Sequence, residues 1–287
     1  MGNGNKTIAT LIILFIPFLS EAGGGWPQPK NSWYLKIYEW WILSNQHYSS
    51  SGGIDPNATR GTYFTILYAE YGITERFTGI LYLPFFARTT VYEQVSGTTG
   101  GVITQGDAIN SIGDIDFAIK YALIRNKPVV VSATLLLGFP TGTAEGGNDG
   151  SLQTGDGEFN QLLRVDVSGS FKVGNKYPYA SSYFGYNNRT GGYSDEFVFG
   201  LETGIALNKW IPIIRIDAVL STRNGDPNFN SDGTSLFSNN REYLAISPEI
   251  NYSINDKMGV TANAGFAFKG KLIFANPSYS IGMFFKL

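Results

Sequence analysis

Large apolar residues alternate with small or polar residues along most of the chain, and its last nine residues show the pattern most clearly. Leu287, Phe285, Met283, Ile281 and Tyr279 occupy every second position, which places them on one face of a β-strand. A long apolar edge strand promotes aggregation in a soluble protein, whereas an outer-membrane barrel pairs its last strand with its first. The ending therefore predicts a strand that faces lipid.

The same alternation predicts about twelve strands, each long enough to cross a bilayer at a tilt. The predicted strands lie at 32–45, 61–73, 76–88, 111–124, 129–138, 158–172, 178–187, 195–207, 210–222, 241–254, 258–269 and 275–287.

The connections between these strands alternate in length. Tight polar turns such as Thr74-Glu75 and Asn208-Lys209 are followed by longer connections rich in Gly, Ser, Asn and Asp, for example 46–60 and 223–240. Short turns on one side and long loops on the other are typical of outer-membrane barrels. The sequence thus predicts an all-β fold: one antiparallel transmembrane β-barrel of about 12 strands, with short periplasmic turns and long extracellular loops.

Charged residues fall mostly on the face opposite to the apolar one. An Arg or Lys facing lipid at mid-depth costs about 2–4 kcal/mol, so we expect the charged faces to line the lumen. Two interpretations of this lining remain open, a polar pore wall or a salt-bridged filling that stiffens the barrel. In the first strand Lys36 and Glu39 lie on opposite faces, so its register stays undetermined. The predicted lumen residues are Glu70, Asp114, Asp116, Lys120, Arg164, Asp166, Glu202, Arg215, Asp217 and Glu249.

Residues 1–22 have the pattern of a secretory signal peptide, with Lys6, an apolar core at 10–19 and small residues before the cleavage site at Ala22. About ten apolar residues are too few to cross a bilayer as a helix. We therefore divide the chain into a signal peptide at 1–22, an N-terminal periplasmic segment at 23–31 and a barrel at 32–287. Prolines and glycines in 23–30 disfavour strand pairing, which makes this segment a candidate plug for the periplasmic mouth.

Composition excludes several classes of function. The 287 residues contain no cysteine, which excludes disulfides, thiolate metal sites, thiol catalysis and a lipoprotein anchor. A net charge of −2 provides no basic surface for nucleic acid. We expect no cofactor and no metal. The expected partners are outer-membrane lipids, a small-molecule solute and the outer-membrane assembly machinery, which would recognise the C-terminal strand.

His47 is the one histidine, and it lies just beyond the first predicted strand with Ser49, Ser50 and Ser51 nearby. This grouping raises the possibility of an outer-membrane lipase, which needs a nucleophile, a base and an orienting group in contact. No Ser or Asn neighbourhood elsewhere supplies the rest of such a set. An ordinary loop histidine is the favoured interpretation, and we expect no enzymatic activity.

The run from Asp226 to Gly233 places oxygen ligands at every second residue, as a calcium loop does. Ser231 stands where that loop needs its turn glycine, and Ser238 stands where it needs its closing glutamate. Solvation of an outer loop explains the same composition, so we favour a loop without a bound cation.

Several short segments occur in an order that resembles a known family: 112–121 (IGDIDFAIKY), 138–142 (GFPTG), 154–157 (TGDG), 184–187 (FGYN) and 194–197 (SDEF). The order resembles the outer-membrane transporter family associated with the meta-pathway of phenol degradation, over roughly residues 110–220. The resemblance implies an outer-membrane barrel that passes small, hydrophobic or aromatic compounds and has no catalytic set. The chain departs from the usual ending of such barrels by finishing on Leu287 instead of phenylalanine.

These patterns favour a channel for passive uptake of small molecules, in which the loops at 89–110 and 139–157 fold inward and discriminate between solutes. The alternative is a non-conducting structural or surface-binding protein with a filled lumen. A third possibility, an outer-membrane enzyme, depends on His47 alone. Conductance in a lipid bilayer separates the first possibility from the second, because a filled barrel passes nothing.

Overall fold

The structure, a computed structural model, describes residues 24–227, 229 and 235–287, and the predicted signal peptide at 1–22 lies outside them. Among the described residues, no helix is long and apolar enough to cross a membrane. The strands are β1 (Trp33–Tyr48), β2 (Ile54–Gly72), β3 (Phe77–Val91), β4 (Gln94–Val95), β5 (Val102–Thr104), β6 (Asp107–Ser111), β7 (Ile115–Ile124), β8 (Val129–Phe139), β9 (Asn160–Ser170), β10 (Tyr179–Asn188), β11 (Glu196–Gly204), β12 (Trp210–Ser221), β13 (Glu242–Asn255), β14 (Met258–Lys271), β15 (Ile273–Phe274) and β16 (Ser278–Lys286).

A closed antiparallel barrel of 12 strands forms the wall. β6 and β7 pair in succession with β3 and together act as one wall strand. The wall closes where β1 pairs with both β2 and β16, since Tyr34 lies opposite Glu70 on one side and Lys286 on the other. Closure leaves no unpaired edge in the wall, as a barrel in lipid requires. The predicted all-β barrel fold is confirmed.

Loop lengths follow the predicted alternation with one exception. Tight turns lie at the end of the barrel that holds both chain ends, where Trp33 and Leu287 exchange backbone hydrogen bonds. We call this the periplasmic end. The predicted loop at 46–60 is wrong, because β1 continues to Tyr48 and pairs again with β2 from Ile54 onward. Backbone pairing therefore extends this hairpin through a stretch whose Ser, Gly and Pro content predicts a loop.

The outer face of the wall is apolar and exposed, as a lipid-facing surface must be. Phe117, Leu163 and Ile281 are examples, each more than half exposed. Paired rings flank this belt at the periplasmic end, where Trp33 and Tyr71 have centroids 4.4 Å apart. Closed wall and apolar belt together make the chain a transmembrane barrel of the bacterial outer membrane.

Pairing also fixes the register of the first strand. Tyr34, Lys36, Tyr38 and Trp40 face the lumen, where they line one cavity. Glu39 faces outward and accepts a hydrogen bond of 2.7 Å from Thr65 Oγ1 of β2. Glu39 is a charged residue on the outward face of β1, whereas Lys36 faces the lumen. This is why the alternation of this strand did not determine its register.

Candidate functional site in the lumen

The predicted lumen residues lie on the inner side of the wall and divide into three groups. Glu70 and Lys120 contact the N-terminal segment near the periplasmic end. Asp114 and Asp116 lie on the β6–β7 wall strand towards the extracellular end, where Asp114 accepts hydrogen bonds from a loop. The remaining six line a shared central cavity: Arg164, Asp166, Glu202, Arg215, Asp217 and Glu249.

The N-terminal segment, residues 24–31, lies inside the periplasmic end of the barrel. Lys120 Nζ lies 3.9 Å from Glu70 Oε2 and donates a hydrogen bond of 3.4 Å to the carbonyl of Trp26. Gln28 Nε2 donates to the same Glu70 oxygen at 3.1 Å. Both charged side chains are fully buried, so the segment covers a pair that water would otherwise reach.

Backbone contacts hold the same segment on other strands. Gly25 N donates to Ser168 Oγ of β9 at 2.7 Å, and Ser132 Oγ of β8 donates to the Gly25 carbonyl at 2.5 Å. The close approach requires glycine in the wall as well, because a Cβ on Gly72 would overlap the carbonyl of Pro29. The segment therefore occupies the position that a plug of the periplasmic mouth would take.

A cavity of about 440 Å³ remains in the lumen, bordered by Gly24 of the segment. A linked set of charges crosses its wall. Arg215 donates to Glu202 at 2.5 Å and to Glu249 at 2.7 Å, and Lys36 Nζ lies 3.2 Å from the same Glu249 oxygen. Each charge in this set has a partner of opposite sign, which compensates for the loss of water around it.

Aromatic rings and a second ion pair complete the cavity. Arg164 pairs with Asp166 at 3.1 Å, and its guanidinium lies 4.8 Å from the ring centroid of Tyr183. Tyr183 OH donates to Asp217 at 2.7 Å. The cavity thus presents ring faces and hydroxyl groups between closed ion pairs. Its aromatic lining residues are Tyr34, Tyr38, Trp40, Tyr68, Tyr179 and Tyr183.

Lys36 and the lumen-facing tyrosines of β1 were not among the predicted lumen residues, because Glu39 left the register of that strand undetermined. A usable signal was present. A lysine that faces lipid is costly, which is how the faces of the other strands were assigned, and the same cost places Lys36 in the lumen. Because alternate residues share one face of a strand, Tyr34, Tyr38 and Trp40 then face the lumen as well.

Extracellular loops are joined by a buried ion cluster around Arg189. Its guanidinium lies 3.0 Å from Asp156, 3.0 Å from Glu196 and in contact with Glu158. Arg241 adds a second pair to Glu196 at 3.0 Å. The cluster connects the loops at 140–159, 189–195 and 222–241 to one another, and these loops lie above the cavity.

The loop between β12 and β13 also sends apolar side chains into the barrel. Phe64 and Ile66 of β2 form a buried apolar cluster with Ala87 of β3, and Leu236 and Phe237 pack against it. The rings of Phe64 and Phe237 meet edge-on with centroids 6.4 Å apart. This contact was not predictable from the sequence, because loop residues show no periodic pattern that indicates which strand they contact.

The expectation for the two loops thought to fold inward is half right. The loop at 140–159 reaches across to β3, where Thr89 Oγ1 donates to the Gln153 carbonyl at 2.7 Å. The loop at 92–106 instead forms the β4–β5 hairpin, whose Val102 and Ile103 are 58% and 68% exposed. The backbone of this hairpin pairs with itself, and these two apolar side chains are open to solvent.

The remaining candidates of the sequence are located as follows. His47 lies inside β1, not in a loop, and is buried edge-on against Phe274 with centroids 5.1 Å apart. Ser49 and Ser51 share a hydrogen bond of 2.9 Å. The calcium-like run at 226–233 lies in part outside the described residues. Within the described ranges, no group of three or more acidic or histidine side chains could hold a metal ion.

The barrel is similar to solved outer-membrane proteins. Against the COG4313 outer membrane channel from Pseudomonas putida F1 the TM-score is 0.68 at 14% identity, covering 93% of this chain and 99% of the other. Against the NanC porin it is 0.53 at 10% identity, covering 88% and 100%. No family model matches the sequence, and no curated protein matches it either. At such low identity the likeness shows the fold, which is that of an outer-membrane β-barrel.

Proposed function

We propose that the protein is an outer-membrane channel for passive uptake of small molecules. The central cavity carries this proposal: about 440 Å³ of space, lined by charged groups and hydroxyls, lies inside a closed wall. Barrels of eight strands fill their interior with side chains, whereas wider barrels leave room for a solute. The shared fold with a channel and a porin supports the same role.

We further propose that the solutes are small and hydrophobic or aromatic, as the resemblance to the family associated with the meta-pathway of phenol degradation implies. Trp40 and Tyr183 offer ring faces to such a solute, and nearby hydroxyls can bond its polar substituents. Lys36, Arg164 and Arg215 are already paired with carboxylates. A neutral solute therefore need not break an ion pair to enter.

The predicted lumen residues are proposed to set a weak preference between ions. Of the charged residues that line the cavity, Lys36, Arg164 and Arg215 are basic. Mixed signs at close range favour neither cations nor anions strongly. The acidic ones are Asp166, Glu202, Asp217 and Glu249.

A second candidate function is a non-conducting structural or surface-binding barrel. Obstruction at both ends favours it, since the N-terminal segment lies in the periplasmic end and Phe237 packs into the extracellular end. Such a protein would present its loops, including the exposed β4–β5 hairpin, to a partner outside the cell.

Reconstitution of the purified protein separates the two functions. Planar bilayers measure single-channel conductance, and liposome swelling with arabinose, phenylalanine and benzenesulfonate measures solute entry. A channel of the proposed kind conducts and admits phenylalanine faster than benzenesulfonate. Absence of conductance and swelling, in the wild type and in a variant lacking 23–30, would establish the non-conducting function instead.

A further inference from the structure

We infer that the turn at 235–241 is an extracellular gate, whose Phe237 side chain fills an apolar site in the lumen wall that a passing solute must take over. The inference rests on the proposed channel function. It assigns a gating role to a turn and a binding role to the patch formed by Phe64, Ile66 and Ala87.

Wall topology shows that the turn crosses the lumen. It leads directly into β13, and in the order of the wall β14, β16 and β1 stand between β13 and β2. Leu236 and Phe237 nevertheless contact Phe64 on the inner face of β2. A turn that leads into β13 and packs on the inner face of β2 must cross the part of the mouth between these two strands.

The site under the turn is apolar within a polar lining. Ile66 is 2% exposed and Phe64 is 7% exposed with the turn in place. Uncovering such side chains to lumen water is unfavourable in proportion to the apolar area exposed. Trp40 belongs both to this patch and to the lining of the central cavity, so the two are continuous. The patch therefore needs an apolar occupant, and a solute leaving it has direct access to the cavity.

The turn is held at its base by polar contacts and at its tip by apolar packing together with hydrogen bonds. At the base, Asn240 Oδ1 accepts hydrogen bonds from Ser194 at 2.7 Å and Ser221 at 2.9 Å, and Arg241 pairs with buried Glu196. At the tip, Ser235 Oγ donates to Gln153 Oε1 at 2.9 Å, beside the ring contact of Phe237. Lifting the tip would break these contacts and the hydrogen bond that Arg241 Nη1 donates to the Leu236 carbonyl, while the polar contacts at the base keep the turn attached to the barrel.

Single-channel recording on the full mature protein tests the gate. Phe237→Ala removes the ring and should shift the ratio of closed to open states by about tenfold towards open, which corresponds to ~1.4 kcal/mol. Phe171→Ala is the matched control, because Phe171 is exposed beyond β9 at the periplasmic end, and it should leave the ratio unchanged.

A double-mutant cycle tests the contact itself. Phe64→Ala in the receiving patch should open the channel as Phe237→Ala does, and the double variant should open it no further than the larger single effect. Additive effects would show that the two rings act independently and would overturn the gate. Heat-modified mobility on gels verifies that each variant forms a folded barrel.

Fixing the tip provides the opposite perturbation. The chain has no cysteine, so a Gln153→Cys/Ser235→Cys pair can be joined by a short bis-maleimide without background reaction. The joined form should stay closed, and failure of the pair to react would contradict the position of the turn. If the wild type conducts and Phe237→Ala matches it, the gate is wrong and the channel stands. If no variant conducts, even without 23–30, the channel function itself fails and the gate with it.

Discussion

At the scale of single residues, a cluster of buried charges joins the extracellular loops. Arg189 is fully buried and contacts carboxylates from three places in the chain, Asp156, Glu158 and Glu196. A buried ion pair adds little net stability, but removing one partner leaves unpaired charge in a dry site. The cluster is therefore a point where one substitution has a large effect.

Arg189→Met should lower the free energy of unfolding by about 3–5 kcal/mol, because three carboxylates lose their shared partner. Denaturant unfolding of the protein in lipid vesicles measures the change. Arg223→Met is the matched control, since its pair with Glu242 is exposed and should contribute less than about 1 kcal/mol. Equal effects of the two substitutions would contradict a special role for the buried cluster.

Glu249→Gln removes one negative charge from the cavity and leaves Lys36 without its carboxylate partner. The channel should become more selective for anions, which the reversal potential in a salt gradient measures. Glu75→Gln, on an exposed periplasmic turn, should leave the reversal potential unchanged. An unchanged reversal potential in the Glu249 variant would show that Glu249 does not face the path of the ions.

The position of a single side chain was predictable only where it follows from the alternation of a strand. Alternation and the cost of charge in lipid agree in predicting the inner face for Arg164, Glu202 and Arg215, and the structure places all three in the lining of the central cavity. Phe237 was not predictable, because its position depends on a contact with Phe64 about 170 residues earlier in the chain.

At the scale of elements, most wall strands were predictable to within a few residues, whereas the start of β2 and the short strands β4, β5 and β15 were not. Alternation and turn composition placed strands such as β8 and β12 almost without error. Loop composition failed for the β1–β2 hairpin, where Gln46 to Tyr48 pair with Ile54 to Pro56. Composition describes what a segment can do in water, and a neighbouring strand can override it.

Gly72→Ala tests the N-terminal segment without deleting it. The added methyl group would overlap the Pro29 carbonyl, so the segment should leave the lumen and conductance should rise, as it should on deletion of 23–30. Gly79→Ala on the neighbouring strand is the matched control, because its methyl group would meet only the Ile73 side chain at an ordinary 3.4 Å. Unchanged conductance in both the Gly72 variant and the deletion would show that the segment does not obstruct flow.

Asp195 makes the packing of two extracellular loops dependent on pH. Burial raises the pKa of Asp195, but hydrogen bonds from Tyr186, Asn224 and the Arg189 backbone, with the charge of Arg189, outweigh burial and hold the pKa below its ordinary value. A lowered pKa stabilises the fold above the ordinary value of about 4, and that contribution is lost as pH falls through the folded-state pKa.

The stability difference between wild type and Asp195→Asn should therefore be full at neutral pH and shrink below about pH 4. Urea unfolding of both proteins across this range measures it. A difference that stays constant with pH would show that the charge of Asp195 does not contribute to loop packing.

At the scale of the whole molecule, the lumen of the barrel is obstructed at both ends. Residues 24–31 lie in one end, the turn at 235–241 lies in the other, and a cavity of about 440 Å³ remains between them. The wall was predictable because lipid imposes one solution on the backbone, a closed sheet. The segments inside the lumen were not predictable, because they contact the wall through individual side chains. Such contacts leave no periodic pattern in the sequence.

The backbone around Trp33 has a consequence for assembly. Asn31 and Ser32 bond to Gly72, while Trp33 bonds to Leu287 across the seam, so the N-terminal segment and the seam are positioned by neighbouring residues. Tyr34 and Lys286 pair although they lie near opposite ends of the chain. Of all the strand pairings in the wall, the pairing of β1 with β16 therefore closes the longest loop of chain and has the largest entropic cost. A slip by one residue would turn every side chain of β1 to the other face and displace the segment with it. We therefore expect correct pairing at the seam and correct placement of the N-terminal segment to depend on each other during assembly.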